Sequence, residues 1–158
     1  MRGPFLDGTV SLVEVIRGGL GRATGDDRSV LAIVQTPRVR ARAAVRSRSS
    51  AGFADNVARG MKMIDALVAE PSAHVGVTSI GDALLESHFE LRSPTAMEGH
   101  AALPPPLRAY LVHQHFRGTL ELRLGRFAMA HFDVTSLEPK ALEYLLATAA
   151  AVAQALGT

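Results

Sequence analysis

The stretch GTLELRLGRFAMAHFD, residues 118–133, decides the fold that the sequence predicts. In its first half, polar or charged residues alternate with leucine, and this period of two is typical of a β-strand that buries one face. Gly125 provides a tight turn into the second half, Arg126 to Asp133, so the whole stretch predicts a β-hairpin. Since a hairpin joins antiparallel neighbours, the sheet is predicted to be antiparallel.

A long helix is predicted directly after the hairpin. Thr135 and Glu138 have the T-x-x-E spacing of a capping box, which favours a helix start at this point. The helix is predicted to stop at Gly157. Its apolar positions fall on one side: Leu142, Leu145, Leu146, Ala149, Val152 and Leu156.

Further strands and helices are predicted along the rest of the chain. Short apolar or alternating runs predict strands at Thr9–Ile16, Ser29–Gln35, Pro37–Val45, Val75 with Val77, and His88–Arg92. Apolar residues at helical spacing predict helices over Asn56–Glu70 and after Pro104–Pro106.

These elements together predict the α+β class, an antiparallel sheet with helices packed on one face and a long C-terminal helix. The length of 158 residues suits a single domain over 1–158. A flexible, glycine-rich loop is predicted at 18–28.

Composition excludes several classes of function and locates the charge. The chain has no cysteine, which excludes disulfide scaffolds, iron–sulfur clusters, thiolate zinc sites and cysteine nucleophiles. The 17 Lys and Arg nearly balance the 15 Asp and Glu, for a net charge of +2. From Arg28 to Lys62, however, eight basic residues face one acid, a balance of +7, whereas the rest of the chain has nine and fourteen, a balance of −5. The charge distribution therefore indicates a basic surface.

The basic surface is predicted to centre on one alternating segment with five arginines, Arg38, Arg40, Arg42, Arg46 and Arg48. On one strand face, alternate side chains lie about 7 Å apart, comparable to the phosphate spacing of a nucleic acid backbone. The strip is interpreted first as a solvated outer face and second as a surface for a protein partner or an anionic ligand. Nucleic acid comes last, because no aromatic side chain for base stacking lies among the arginines.

The glycines at 18–25 do not form a nucleotide-binding motif. A Walker loop requires Gly-Lys followed by Ser or Thr, and a dinucleotide fingerprint requires G-x-G-x-x-G leading into a helix. Here the spacing is G-x-G-x-x-x-G and Asp26-Asp27 follows, so two carboxylates lie where a phosphate would need a helix N-terminus. No cofactor is predicted.

Histidines provide weaker candidates for metal binding or acid–base chemistry. His131 and Asp133 are two residues apart on a predicted strand, so their side chains are predicted to share a face. His113 and His115 lie at a helix end, where the same spacing separates two side chains by about 200°. One hypothesis is a hydrolase or metal site built from His131, Asp133 and one further histidine at 88, 113 or 115. In the alternative, these histidines are structural, with His131 partly buried and the other two at the negative end of a helix dipole.

One part of the sequence resembles a domain found in bacterial proteins of unassigned activity. The resemblance rests on Ile80-Gly81-Asp82, on Ser87–Ser93 (SHFELRS), and on Leu103-Pro104 with Leu107–Leu111. It covers about residues 38–158 and implies an α+β domain closed by a hairpin and a final amphipathic helix. The chain departs from that pattern at 84–87, where it has Leu-Leu-Glu-Ser instead of a Phe-Asp pair. The resemblance implies no reaction, ligand or catalytic residue.

The function favoured by the sequence is a non-enzymatic module that binds a protein partner or assembles with itself. No H-E-x-x-H or G-x-S-x-G motif is present, so no catalytic residue is assigned. Binding of an anionic ligand or nucleic acid through the five arginines is the first alternative, and the histidine-centred site is the second. The sequence shows no long apolar run that would span a membrane, and a cytoplasmic location is expected.

Overall fold

The computed structural model describes residues 9–16, 28–48 and 76–157. The strands in these residues are β1 (Val10–Ile16), β2 (Arg28–Gln35), β3 (Ala43–Ser47), β4 (Phe89–Arg92), β5 (Gly118–Arg123) and β6 (Arg126–His131). The helices are α1 (Ala83–His88), α2 (Ala96–Ala102), α3 (Pro105–His113) and α4 (Pro139–Ala155). The strands form one antiparallel sheet in the order β1-β2-β6-β5-β3-β4. The predicted α+β class is therefore confirmed.

The predicted hairpin lies at the centre of this sheet. Strands β5 and β6 pair from Gly118 with His131 to Arg123 with Arg126, which leaves a two-residue turn. Gly125 occupies that turn with a φ of 76°, in the left-handed region that glycine adopts without steric cost. Because β2 pairs with the outer side of β6 and β3 with the outer side of β5, the hairpin joins the two halves of the sheet.

One face of the sheet and all four helices share the main hydrophobic core. The core takes Leu120 and Phe127 from the hairpin, together with Leu85 of α1, Leu107 of α3 and Leu145 of α4. Alternation along β5 and β6 places the apolar side chains on this face. Each of these five fully buried side chains contributes about 1.5–3 kcal/mol through the hydrophobic effect.

The opposite face of the hairpin is buried as well. Leu31, Ala128 and Ala130 form a second apolar cluster there, and all six residues of β5 are buried. Glu121 and Arg123 lie on this face with exposures of 1% and 2%. The Nε group of Arg123 donates to Oε1 of Glu121 at 2.8 Å, so each buried charge has an opposite charge in contact. The alternation therefore places the large apolar side chains on one face of the hairpin. The charged side chains lie on the opposite face, called the charged face below, which is also buried.

The arginine segment differs from the sequence prediction. A strand over Pro37–Val45 is wrong for residues 37–42, because the strand begins only at Ala43. The preceding residues bond to the hairpin turn instead of to a neighbouring strand: Thr36 N–H donates to Gly125 O at 2.8 Å, and Gly125 N–H donates to Val39 O at 2.9 Å. Side-chain burial still alternates, since Val39 and Ala41 are buried.

The helix starts show which local patterns the chain uses. The predicted capping box at 135–138 is wrong, since α4 begins at Pro139 with Glu138 at the N-cap and no side-chain cap bond. Proline at the first helical position is already pre-organised for a helix. Helices α1 and α2 were not predicted, although Asp82 accepts from Leu85 N–H and Thr95 from Glu98 N–H at their starts.

Most of the remaining predictions fall on residues that the structure describes, and a few fall outside them. The strands at 9–16 and 29–35, the helix after 104, the last helix and the strand that ends at Arg92 are confirmed to within a few residues. His88 ends α1 instead of beginning that strand, and Val77 forms an isolated bridge with Arg92. The helix at 56–70, the loop at 18–27 and Val75 lie outside the described residues, while Arg28 begins β2. Within the described ranges, no helix is long and apolar enough to cross a bilayer.

Candidate anion-binding site

A cleft of about 230 Å³ opens where three segments of the chain meet. These are the end of β3, the junction of α1 with β4, and the connection from α3 to β5. Its polar lining consists of Ser47, Arg48, Ser87, His88, His115 and Arg117. The apolar lining consists of Phe89, Val112 and Phe116. The described part of the chain contributes four titratable side chains to this lining, and all four are basic.

Strand pairing places the first two segments side by side. Ser47 pairs with Phe89 in the β3–β4 register, so Arg48 and His88 follow and precede the pair at the same end of the sheet. Asp82 caps the start of α1 through its Oδ1, which accepts from Leu85 N–H at 3.0 Å. Helix α1 passes directly into β4, so this cap also fixes His88 at the mouth of the cleft.

The third segment reverses the chain after α3. His115 has a φ of 49°, and Phe116 N–H donates to Leu111 O at 3.0 Å, which closes the end of the helix. A positive φ at a residue other than glycine is uncommon and costs free energy. The turn directs His115 and Arg117 to the cleft on either side of the buried Phe116.

Arg48 is oriented by the backbone of α1. Its Nε donates to Glu86 O at 3.0 Å, across 38 residues of sequence. This hydrogen bond uses one of the five N–H donors of the guanidinium. It holds the planar group at the cleft wall, with the other four donors in a fixed geometry. Arg48 is the member of the predicted arginine strip that lines this cleft.

The carboxylate of Glu86 in α1 forms its hydrogen bonds outside the cleft. The Glu86 carboxylate accepts from Ile80 N–H at 2.8 Å, from Gly81 N–H at 3.0 Å and from the Ser79 hydroxyl at 2.9 Å. The hydrogen bond from Ile80, followed by those from Ser79 and the neighbouring backbone, lowers the pKa of Glu86, although desolvation opposes it. The Glu86 carboxylate is thus hydrogen-bonded to the loop at 79–81 and does not line the cleft.

Arg117 is held more loosely than Arg48. Its Nη1 lies 3.9 Å from Asp133 Oδ1, and both side chains are more than half exposed. Its guanidinium carbon also lies 5.7 Å from the centre of the Phe132 ring. An exposed pair at this distance contributes at most about 1 kcal/mol, so a ligand can compete with Asp133 for Arg117.

His131 and Asp133 are in contact, but the predicted strand ends at His131 and Asp133 lies in the turn that follows it. His131 Nδ1 lies 3.5 Å from Asp133 Oδ2 and accepts from Asp133 N–H at 3.3 Å. This contact assigns the proton of the neutral ring to Nε2, which lies 3.2 Å from the Tyr144 hydroxyl. Burial lowers the pKa of His131, against the opposing effect of Asp133, so the ring is neutral in the fold. The ring of Phe116 contacts that of His131 edge-on at 5.7 Å and separates it from the cleft.

The residues named as weak candidates for metal binding lie in different parts of the structure. His113 ends α3 and is exposed, whereas His115 and His88 line the cleft. His131 lies behind Phe116, and Asp133 contacts both His131 and Arg117 with its side chain more than half exposed. In the described part of the chain, no group of three or more His, Asp or Glu side chains is arranged to hold a metal ion.

The five arginines of the predicted strip do not share one surface. Arg38 donates from Nη1 to Ala153 O at 3.0 Å near the end of α4, and Arg42 pairs with Glu98 of α2 at 3.3 Å. Arg40 is exposed in the connection before β3. Arg46 lies on the charged face beside Glu121, and Arg48 lines the cleft. Sequence reasoning missed Arg117 and the two serines as parts of a site and named His88 only for a histidine-centred site, because these residues come from segments that only the sheet brings together.

No known protein family, curated protein or solved structure matches the chain. The resemblance to a bacterial α+β domain therefore stays a prediction.

Proposed function

We propose that the protein is a binding module that takes a small anionic group in the basic cleft. The observation that carries the proposal is that, among the residues that the structure describes, every titratable side chain lining the cleft is basic. An anionic ligand was also the first alternative predicted from the sequence. The proposed binding residues are now Arg48, His88, His115 and Arg117 instead of the five-arginine strip.

Electrostatics favour an anion at this position. Arg48 and Arg117 carry permanent charges on two different segments, so an anion between them gains a guanidinium from each side. Hydrogen bonds to charged groups contribute about 1.5–3 kcal/mol each, more than those between neutral groups. The buried rings of Phe89 and Phe116 form an apolar wall, which reduces the screening of these charges by water.

The cleft favours binding over covalent catalysis. A serine nucleophile needs a hydrogen bond to a base, but the Ser87 hydroxyl donates to Leu84 O at 2.7 Å. Within the described ranges, the histidine that pairs with a carboxylate is His131, and it is buried behind Phe116. These contacts support a non-enzymatic role.

Arg48→Gln and Arg117→Gln are each expected to weaken binding of inorganic phosphate at least tenfold, because each removes a charged donor to the anion. The affinity is measured by isothermal titration calorimetry at low ionic strength, where surface charges are screened least. Arg40→Gln is the matched control, since it removes one exposed arginine charge outside the cleft.

The control should bind phosphate as the unmodified protein does. An equal loss in Arg40→Gln would show that net charge, and not the cleft, attracts the anion. If the unmodified protein binds neither phosphate nor sulfate at millimolar concentration, the proposal is wrong.

The sequence also predicted a protein partner or self-association, and that stays a prediction, as does a cytoplasmic location. Light scattering coupled to gel filtration tests self-association directly. A mass of about one chain, 16.8 kDa, at all concentrations would contradict assembly with itself.

A further inference from the structure

The cleft has two chemically different parts. Its floor is apolar, with Phe89 and Phe116 buried and Val112 half-buried. Its rim carries exposed basic side chains, among them Arg48 and Arg117. A free inorganic ion would contact the basic side chains of the rim and leave the apolar floor in contact with water. The arrangement therefore fits a ligand with a charged end and an apolar end.

We propose that the ligand is a phosphate monoester of a compact apolar group, an inference that rests on the anion-binding function proposed above. The phosphate lies at the rim between Arg48 and Arg117. The substituent lies against Val112 and the two phenylalanine rings of the floor.

The charge of the rim favours a phosphate over a carboxylate. Arg48 and Arg117 bring two permanent positive charges, and a phosphate monoester carries about −1.5 to −2 at pH 7. A monocarboxylate would neutralise only one of the two guanidiniums. The donors also come from three directions, since Arg48, His88 and Arg117 belong to three segments, which suits a tetrahedral group better than a planar one.

The size of the cleft limits the substituent. Pockets for drug-sized ligands occupy about 300–1,000 Å³, whereas this cleft occupies about 230 Å³. A phenyl or short branched alkyl group fits beside a phosphate in such a volume. A nucleotide or a peptide chain exceeds it, so the proposed ligand is a small molecule.

Calorimetric titration with four probes tests the class of ligand. We expect phenyl phosphate to bind about tenfold more tightly than inorganic phosphate, because the ring leaves water at the floor. Benzoate and adenosine monophosphate should both bind more weakly than phenyl phosphate, the first because of its single charge and the second because of its size. A phosphotyrosine peptide should also bind more weakly than phenyl phosphate.

The variant Val112→Thr tests the position of the substituent. It keeps the side-chain shape but adds a hydroxyl to the floor, so the preference for phenyl phosphate over inorganic phosphate should fall about threefold. The readout is the ratio of the two affinities, so a change in phosphate binding that is common to both ligands cancels. Val77→Thr is the matched control, since Val77 is 65% exposed outside the cleft and should alter neither affinity.

The outcomes separate this inference from the function on which it rests. Equal affinities for phenyl phosphate and inorganic phosphate would overturn the inference and leave anion binding intact, as would a Val112→Thr variant with an unchanged preference. Benzoate binding as tightly as phenyl phosphate would overturn the choice of phosphate. Tighter binding of adenosine monophosphate or the peptide would overturn the compact size. If none of the anions binds, both proposals are wrong.

Discussion

Replacing Arg123 with methionine is expected to lower the free energy of unfolding by about 3–5 kcal/mol at pH 8. The substitution keeps an unbranched side chain but removes the guanidinium that contacts the Glu121 carboxylate, at a site where both residues are nearly inaccessible to water. Arg46 and Arg126 still act on the carboxylate electrostatically and limit the loss. Urea unfolding followed by circular dichroism measures the difference.

The loss should depend on pH in a defined direction. Burial raises the pKa of Glu121 from its ordinary value of 4.5 to about 7, although Arg46 and Arg126 lower it. An acid with a raised pKa binds its proton more tightly in the folded chain, so its contribution to stability is complete below about 4.5 and is lost as the pH rises to about 7. At pH 5 the carboxyl is neutral and needs its partner less. The loss in Arg123→Met should therefore be smaller at pH 5 than at pH 8.

A double variant serves as the control for this pair. Glu121→Gln combined with Arg123→Met removes both buried charges and should recover most of the stability lost in the single variant. An equal loss at pH 5 and pH 8, or a double variant no more stable than Arg123→Met alone, would contradict the role assigned to this ion pair.

Gly118→Ala is expected to lower the free energy of unfolding by about 2–3 kcal/mol. A Cβ at this position would collide with the carbonyl oxygen of Ala130 on the paired strand β6. Because the obstacle is backbone within the central hairpin, it cannot rotate away as a side chain would, and the strands must separate locally. Thermal and urea unfolding both report the change.

Gly76→Ala is the matched control for the same substitution. A Cβ at position 76 would meet no atom within 4 Å, and the residue has no positive φ. Alanine in an open position changes stability by only a few tenths of a kcal/mol, with a gain of about 0.4–1 kcal/mol where it restricts the unfolded chain. If both variants unfold alike, close packing of β5 on β6 does not require glycine at 118.

Local patterns predicted the parts of the fold that local interactions determine. The hairpin at 118–131 followed from alternation and a turn glycine, and α4 followed from apolar residues at helical spacing. The same alternation at 37–42 was misleading, because this connection bonds to the hairpin turn through Gly125 and not to a strand. The alternation of apolar and charged residues predicted which side chains are buried at 37–42. It did not predict the hydrogen-bond partners of the backbone there.

The candidate site was less accessible to prediction for a physical reason. The spacing of His131 and Asp133 predicted that they lie together, and they do, although β6 ends at His131 and Asp133 lies in the turn that follows. Arg48, His88 and Arg117 meet only through the β3–β4 register and the reversal after α3, which are tertiary features. Their residue types gave no motif, so the sequence indicated a basic surface without locating its centre.

The strand order has a consequence for synthesis of the protein on the ribosome. Strands β1 and β2 form one pair and β3 and β4 another, but they become parts of one sheet only when the hairpin at 118–131 enters between them. Until that segment leaves the exit tunnel, the nascent chain has no partner from the hairpin for β2 or β3. Unpaired strand edges favour association between chains, so we expect the polypeptide to depend most on chaperones until residues 118–131 have left the exit tunnel.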